Sequence, residues 1–157
     1  ASGGTVHPGL LAALLADPFF AQPPPKSTGR DLFHRGWLEA ALGQVPVLPS
    51  PRDVQATLAE LTASAAADAL RRLAPATRRL LVCGGGAFNQ HLMRRLAALL
   101  ADVAIQTTDA GGVPPDQVEA LAFAWLAQEF VHRRPGNLPS VTGAKGPRVL
   151  GSLCPAR

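Results

Sequence analysis

The sequence has no tyrosine, two tryptophans and two cysteines among its 157 residues. Cys83 and Cys154 lie far apart and outside any CxxC pair, so neither a zinc site nor a disulfide framework is predicted, and a reducing compartment fits best. Prolines and charged residues interrupt the apolar runs, and the first residues, ASGGTVHPG, lack a basic segment. Neither a membrane span nor a signal peptide is therefore predicted, and we expect a soluble, cytoplasmic protein.

A modest excess of basic residues raises the question of nucleic acid as a partner. The 15 Lys and Arg residues outnumber the 11 Asp and Glu residues, which gives a net charge of +4. Clustered basic residues bind phosphates, but the arginines here are scattered. The densest group flanks Pro75 at a predicted helix end, where cations complement the terminal carbonyls: Arg71, Arg72, Arg78 and Arg79. No aromatic residues alternate with them to stack on bases, so we expect no nucleic-acid partner.

The hydrophobic pattern changes near residue 50 and divides one domain into two parts. Residues 1–49 combine short helical patterns with Pro-rich turns. Residues 50–157 predict an α/β core in which helices and strands alternate and the strands are largely parallel. A chain of this length with 47% hydrophobic residues can bury one core, so we treat 1–157 as a single domain.

The periodicity of apolar residues predicts the individual elements. Predicted helices cover 10–15, 30–42, 51–73, 90–100 and 115–134, and predicted strands cover 80–83, 103–107 and 148–153. Ser50 and Pro51 suit the start of the longest helix, as N-cap and first helical residue. The first strand lacks polar alternation, which is typical of a strand covered on both faces. The last helix is apolar on most of its circumference, which predicts deep burial.

The strongest local signal is the segment CGGGAFN, from Cys83 to Asn89, between a predicted strand and a predicted helix. Glycines let backbone N–H groups approach a ligand closely, and a helix amino terminus favours negative charge. This pattern predicts a nucleotide site, although a tight turn without a ligand has the same sequence. A dinucleotide-binding domain is another alternative, since Asp109 follows the next strand, but Asn89 stands where that fingerprint needs its third glycine.

Two further segments contain candidate site residues. The string KSTG, which begins at Lys26, is similar to the end of a phosphate loop, but prolines precede the lysine where that motif needs glycines. A Pro-rich turn before a helix is the simpler interpretation. Glu119 shares a helical face with apolar residues such as Phe123, which suits either helix-dipole stabilisation or a position in a cleft. Surface or packing roles are expected for the four histidines, which lack catalytic partners at suggestive spacings: His7, His34, His91 and His132.

Taken in order and with their spacings, five segments resemble the carboxyl-terminal half of the anhydro-N-acetylmuramic acid kinases: PPPKSTGRDLF, VCGGGAFNQHLMRRL, TTDAGG, EALAFAWLA and GNLPSVTGA. The resemblance covers nearly the whole chain. It implies one lobe of the actin, hexokinase and heat-shock-protein ATPase superfamily, a ribonuclease H-like α/β fold. Such a lobe has a mixed sheet with helices on both faces, here preceded by helical segments.

The resemblance also implies a reaction and its site residues. In this family ATP, with magnesium, phosphorylates the 6-oxygen of anhydro-N-acetylmuramic acid while water opens the 1,6-anhydro ring, during peptidoglycan recycling. The implied nucleotide-binding residues are Gly84, Gly85, Gly86 and Asn89. Glu119 matches a carboxylate on the sugar side of the cleft, and Phe88 is a departure where a polar or basic residue is expected. A candidate cleft loop comprises Lys26, Ser27, Thr28 and Arg30.

The family's first phosphate motif and its DTGPGN-like segment, which supplies the general-base aspartate, do not occur in this sequence. No catalytic residue and no metal ligand are therefore assigned to it. We expect ATP as a ligand, the anhydro-sugar only together with an amino-terminal half, and no catalysis by this chain alone. A homodimer is a further expectation, because an exposed cleft face favours self-association. The alternative functions are a non-catalytic nucleotide-binding or assembly module and a dinucleotide-binding domain.

Overall fold

A computed structural model describes residues 1–154, so the last three residues of the predicted domain lie outside the described part. The helices are α1 (Pro8–Leu15), α2 (Pro18–Ala21), α3 (Arg35–Leu42), α4 (Pro51–Leu73), α5 (Gln90–Leu99), α6 (Val118–Val131) and α7 (Pro139–Thr142). The strands are β1 (Arg79–Val82) and β2 (Ala104–Thr107). A single-turn 3₁₀ helix follows each strand, over Gly85–Phe88 and Thr108–Gly111. The described chain is therefore α/β, as predicted.

The start of α4 is confirmed at the predicted residue. The Ser50 hydroxyl accepts a hydrogen bond from the backbone N–H of Asp53 at 3.3 Å and donates one to the Asp53 carboxylate at 2.8 Å. That carboxylate also accepts the backbone N–H of Thr5 at 2.7 Å. The Thr5 and Ser50 hydrogen bonds hold the pKa of Asp53 below its usual value. One side chain therefore joins the amino-terminal segment to the first turn of α4.

Two histidines act as N-caps, a role that the sequence interpretation did not identify. The Nδ1 atom of His7 accepts the backbone N–H of Leu10 at 3.0 Å at the start of α1. The Nδ1 atom of His34 accepts the backbone N–H of Trp37 at 3.2 Å, and α3 therefore begins later than the predicted residue 30. Both rings satisfy backbone donors that have no partner inside their helices.

The hydrophobic core joins the amino-terminal segment to α4. Leu10 and Leu14 of α1 are fully buried and pack with Ala41 of α3 and Leu61 of α4. Burying a leucine side chain contributes about 1.5–3 kcal/mol. Residues 1–49 are thus packed on the core through α1 and α3.

A crossover through α5 connects the two parallel strands. The pairing runs from Arg79 opposite Ala104 to Val82 opposite Thr107. An ion pair holds α5 against α4, since Arg95 donates from Nε and Nη2 to the Glu60 carboxylate at 2.5 and 2.9 Å. Glu60 is only 6% exposed, and its hydrogen bonds raise the pKa of Arg95. The helix that follows the glycines is therefore held at one position along α4.

The predicted mixed sheet and the predicted third strand are wrong for residues 1–154. The sheet there has two parallel strands, and residues 148–153 form no strand. The backbone of Arg148 instead bonds to a loop, since its N–H binds the Asn137 side chain at 2.6 Å and its carbonyl accepts the N–H of Gly136 at 3.0 Å. These local hydrogen bonds replace the ladder that an apolar run alone suggested.

The predicted deep burial of α6 is also wrong. Four of its large apolar side chains are between 48% and 73% exposed: Leu121, Phe123, Trp125 and Val131. The loop at 136–151 approaches α6 at Leu126 and Phe130. Hydrophobic periodicity shows how much of a helix is apolar, but it does not show whether the described chain covers that surface.

Candidate functional site

The site lies where the two parallel strands end. Val82 and Thr107 form the last pair of the register, so the segments that follow them leave the sheet at the same edge. These segments are the glycines from Gly84 and the turn that contains Asp109. Ligands of open α/β sheets bind at the carboxyl ends of strands. The strand register thus brings two of the segments singled out in the sequence to one edge.

The glycine loop, Gly84–Gly86, has an open and exposed backbone. Gly84 has φ 74° and ψ −175°, a conformation that is essentially restricted to glycine. Its N–H donates to the carbonyl of Pro115 at 2.9 Å. A Cβ atom built on Gly84 or Gly85 meets no other atom within 4 Å. A ligand could therefore approach this backbone without displacing a side chain.

Asn89 ends the loop and begins α5. Its side-chain oxygen accepts the backbone N–H groups of His91 and Leu92 at 3.1 and 3.2 Å. Asn89 is therefore the N-cap of α5, and it fixes where the glycine loop turns into the helix. This role also explains why an asparagine suits the position where a dinucleotide fingerprint needs glycine.

Asp109 lies on the second segment at this edge. Its carboxylate accepts the hydroxyl of Thr107 at 2.8 Å, and the turn closes at Gly112 with φ 87°. Asp109 is exposed. Its carboxylate is thus engaged by its own turn at the end of β2.

Glu119 lies in the first turn of α6, near the segment that is tied to the glycine loop. The carbonyl of Pro115 accepts the N–H of Gly84, so the chain that enters α6 is joined directly to the loop. Glu119 is exposed, and no hydrogen bond or ion pair engages its carboxylate within residues 1–154. This carboxylate is available to a ligand.

The candidate cleft loop has a different neighbour. The ammonium of Lys26 donates to the carbonyls of Phe19 and Phe20 at 2.7 and 3.2 Å and lies 4.6 Å from the Phe19 ring centre. The loop borders Val141 and Thr142 across a cavity of about 330 Å³. Lys26 therefore caps the carbonyls at the carboxyl end of α2. The KSTG segment at 26–29 and the SVTG segment at 140–143 lie next to each other in the structure. In the described chain, no hydrogen bond joins this loop to the glycine loop.

Sequence reasoning missed Glu60, although α4 contains a signal for it. Ala56, Ala63 and Ala67 are buried at helical spacing, and Glu60 falls on the same stripe. A stripe of small residues lets another helix approach closely, so a carboxylate on it needs a cationic partner from that helix. Arg95 on α5 is that partner. This ion pair fixes the position of α5 against α4, and it thereby helps to position the glycine loop, because α5 begins where that loop ends.

A cavity of about 440 Å³ lies between α3 and α4, away from the glycines. Its lining includes Phe20, Phe33 and Trp37 together with Leu58 and Leu61. Phe33 and Trp37 meet edge to face with ring centres 4.8 Å apart. This lining is mainly apolar and adjoins the hydrophobic core, so we regard it as part of the packing around α3.

Comparison with known proteins decides the family of this chain. The model of the anhydro-N-acetylmuramic acid kinase family matches residues 1–156. The chain belongs to the anhydro-N-acetylmuramic acid kinase family. The resemblance seen in the sequence is thereby confirmed, and the dinucleotide-binding alternative is dropped.

Relatives named anhydro-N-acetylmuramic acid kinase match almost the whole chain. The relative from Cupriavidus pinatubonensis is 60% identical over an alignment of 157 positions, which covers 99% of this chain and 42% of the relative. The relative from Xanthomonas campestris is 56% identical over 156 residues, or 99% of this chain and 41% of the relative. The relative from Chromobacterium violaceum is 54% identical over 155 residues, again 99% and 42%. The chain therefore spans about two fifths of the length of these relatives.

Within residues 1–154, no helix is both long enough and apolar enough to cross a membrane. The same residues contain no group of three His, Cys, Asp or Glu side chains placed to hold a metal ion.

Proposed function

We propose that this chain is the carboxyl-terminal, nucleotide-binding part of an ATP-dependent sugar kinase. The whole enzyme would open the 1,6-anhydro ring of anhydro-N-acetylmuramic acid with water and transfer the ATP γ-phosphoryl group to its 6-oxygen. The product is N-acetylmuramic acid 6-phosphate, formed during peptidoglycan recycling in the cytoplasm. The observation that carries this proposal is the open glycine loop at the carboxyl end of two parallel strands, in a chain of this family.

The corresponding fold is one lobe of an actin-like ATPase. The unit of β1, α5 and β2, followed by α6, supports this proposal because parallel strands joined by a helix are its building block. Residues 50–157 would form the α/β core of the lobe. Residues 1–49 would belong to the same domain, because α1 and α3 contribute to one core with α4.

The glycine loop is proposed to bind the adenosine side of ATP. Gly84, Gly85 and Gly86 let the ligand lie directly against the backbone, and Asn89 holds the loop in place through its bonds at the start of α5. The role of Asn89 in this proposal is therefore to position the nucleotide site.

Glu119 is proposed to bind the sugar. Its carboxylate is exposed and has no partner among the described residues, so it can accept hydrogen bonds from sugar hydroxyls. The hydrogen bond from Gly84 to Pro115 supports this proposal, because it holds the segment before α6 against the glycine loop, where ATP is proposed to bind.

The loop that begins at Lys26 remains a proposed wall of the cleft. Ser27, Thr28 and Arg30 are exposed, and their side chains make no hydrogen bond within residues 1–154, whereas the ammonium of Lys26 binds two backbone carbonyls. We therefore propose that Lys26 holds this loop against α2. The other three side chains are proposed to contact the ligand.

Phosphoryl transfer requires positioned phosphates, a metal ion and a base that activates the nucleophile. Mg²⁺ commonly binds through substrate phosphates and one or two carboxylates. We propose that the ATP phosphates carry the ion, since the described residues provide no cluster of metal ligands. The motif that supplies the family's general-base aspartate is absent from this sequence. The isolated chain should therefore bind nucleotide weakly and transfer no phosphoryl group.

Calorimetric titration with ATP and magnesium tests the nucleotide site. The wild-type chain should bind ATP weakly, and Gly85→Val should abolish binding without loss of stability, because the added side chain enters open space. NAD is the control ligand and should not bind. Equal ATP binding by the wild type and Gly85→Val would place the nucleotide elsewhere, and binding of NAD in preference to ATP would restore the dinucleotide alternative.

The exposed face of α6 supports a second candidate role, as an assembly surface. Leu121 and Trp125 lie four residues apart on one face of the helix and are about half exposed, and contiguous apolar patches mark interaction sites. The partner would be the remainder of a two-lobe kinase or a second copy of this chain. Analytical ultracentrifugation distinguishes the two, because only the second predicts a concentration-dependent dimer of the isolated chain.

A further inference from the structure

The exposed aromatic side chain of Phe88 lies next to the glycine loop. Phe88 is the last residue of the 3₁₀ turn Gly85–Phe88, and it is 62% exposed. Its neighbour Ala87 is 7% exposed, so the turn is anchored through Ala87 and presents Phe88 outward. None of the ring pairs among the described residues includes Phe88.

The geometry of the turn places this ring next to open backbone. In a 3₁₀ helix, side chains three residues apart lie on the same side. Phe88 and Gly85 therefore share one side of the turn, and the Cβ direction of Gly85 points into empty space. A flat apolar ring thus borders a patch of bare glycine backbone at the carboxyl end of β1.

We propose that the base of the bound nucleotide stacks on Phe88, an inference that rests on the nucleotide site proposed above. A planar base can lie along the glycine backbone with one face against the ring, because glycine leaves room for it. Stacking between bases and aromatic side chains is favourable for every base, since each has a π face. Phe88 therefore contributes affinity for the base, with little discrimination between ATP and GTP. This role explains an aromatic residue where a polar or basic one was expected.

The test compares ATP with tripolyphosphate, an anion that has no base. Calorimetry is performed on the wild-type chain, Phe88→Ala, Phe88→Trp and the control Phe123→Ala, which removes an equally exposed ring on α6. Phe88→Ala should weaken binding of ATP and of GTP by roughly five- to a hundredfold. Phe88→Trp should retain it, and Phe123→Ala should not change it. None of the three substitutions should change the affinity for tripolyphosphate.

Three results would overturn the proposal. Unchanged ATP affinity in Phe88→Ala, with binding still abolished by Gly85→Val, would refute stacking and leave the nucleotide site intact. Equal weakening of ATP and tripolyphosphate would show that Phe88 acts on the loop and not on the base. If the wild-type chain binds no ATP, both the nucleotide site and the stack are refuted for this chain. Circular dichroism and thermal melting check that each variant is folded.

Discussion

Replacing Gly84 with alanine should destabilise the protein because of its backbone conformation alone. At φ 74° and ψ −175°, Gly84 occupies a region in which an L-residue costs about 1–3 kcal/mol. No steric clash contributes, since a Cβ atom at this position meets nothing within 4 Å. Alanine also reduces the entropy of the unfolded chain, which stabilises the protein by about 0.4–1 kcal/mol. Gly85→Ala has the same second effect without the strained φ. The difference between the two variants therefore isolates the strain.

Urea denaturation of the two variants measures this difference. We expect Gly84→Ala to be less stable than Gly85→Ala by about 1–3 kcal/mol. For a chain of this size that corresponds to a difference in Tm of roughly 2–12 °C, at about 2–4 °C per kcal/mol. Equal stability of the two variants would refute the argument, because it would mean that the fold does not hold Gly84 at positive φ. The glycine loop would then be a flexible turn and not a preformed site.

Two further predictions concern the supports of the fold. Arg95→Met should lower the free energy of unfolding, measured by urea denaturation, by about 2–3 kcal/mol, because it leaves the buried Glu60 carboxylate unpaired. This loss is smaller than the ~3–5 kcal/mol of a fully buried pair, because solvent still reaches Arg95. The exposed pair of Arg35 with Glu39 is the control, and Arg35→Met should lower the free energy of unfolding much less than Arg95→Met does; equal losses would contradict the role of burial. The lowered pKa of Asp53 means that its contribution is present above its unfolded pKa of about 3.9 and disappears as the pH falls through the lower folded value. As the pH is lowered from 5 to 2, the free energy of unfolding should therefore fall more steeply for the wild type than for Asp53→Asn. Parallel plots of this free energy against pH would show that the carboxylate contributes nothing.

The candidate site was predicted from the sequence where the signal was local. Three consecutive glycines after an apolar strand identified the loop, and Asn89 before a helical pattern marked the start of α5. These features depend on the conformations that single residues allow and on caps within one turn. The conformation of Gly84 and the strand register then placed that loop at the same sheet edge as the turn of Asp109. Parallel strands were predicted, but the register that pairs Val82 with Thr107 cannot be read from isolated apolar runs and came only from the structure.

Other features were misread because their signal is not local. The apolar helix α6 was expected to be buried, yet Phe123 is exposed, because an amphipathicity pattern carries no information on what covers a surface. The apolar run at 148–153 was expected to form a strand, but its backbone bonds to a neighbouring loop. For Lys26 the sequence predicted membership of a candidate cleft loop, which stays a prediction, but it gave no sign of the hydrogen bonds from the ammonium to the carbonyls at the end of α2.

The roles of this chain's residues therefore have two sources. The starts of α4 and α5 and the existence of a glycine loop follow from short-range sterics and capping, which act within a few residues and can be read from the order of amino acids. The position of Glu60 opposite Arg95, the bond from Gly84 to Pro115 and the exposure of Phe88 arise only when distant segments are packed together. Each of these depends on contacts between residues far apart in the chain, and their formation depends on the burial and geometry of the whole fold.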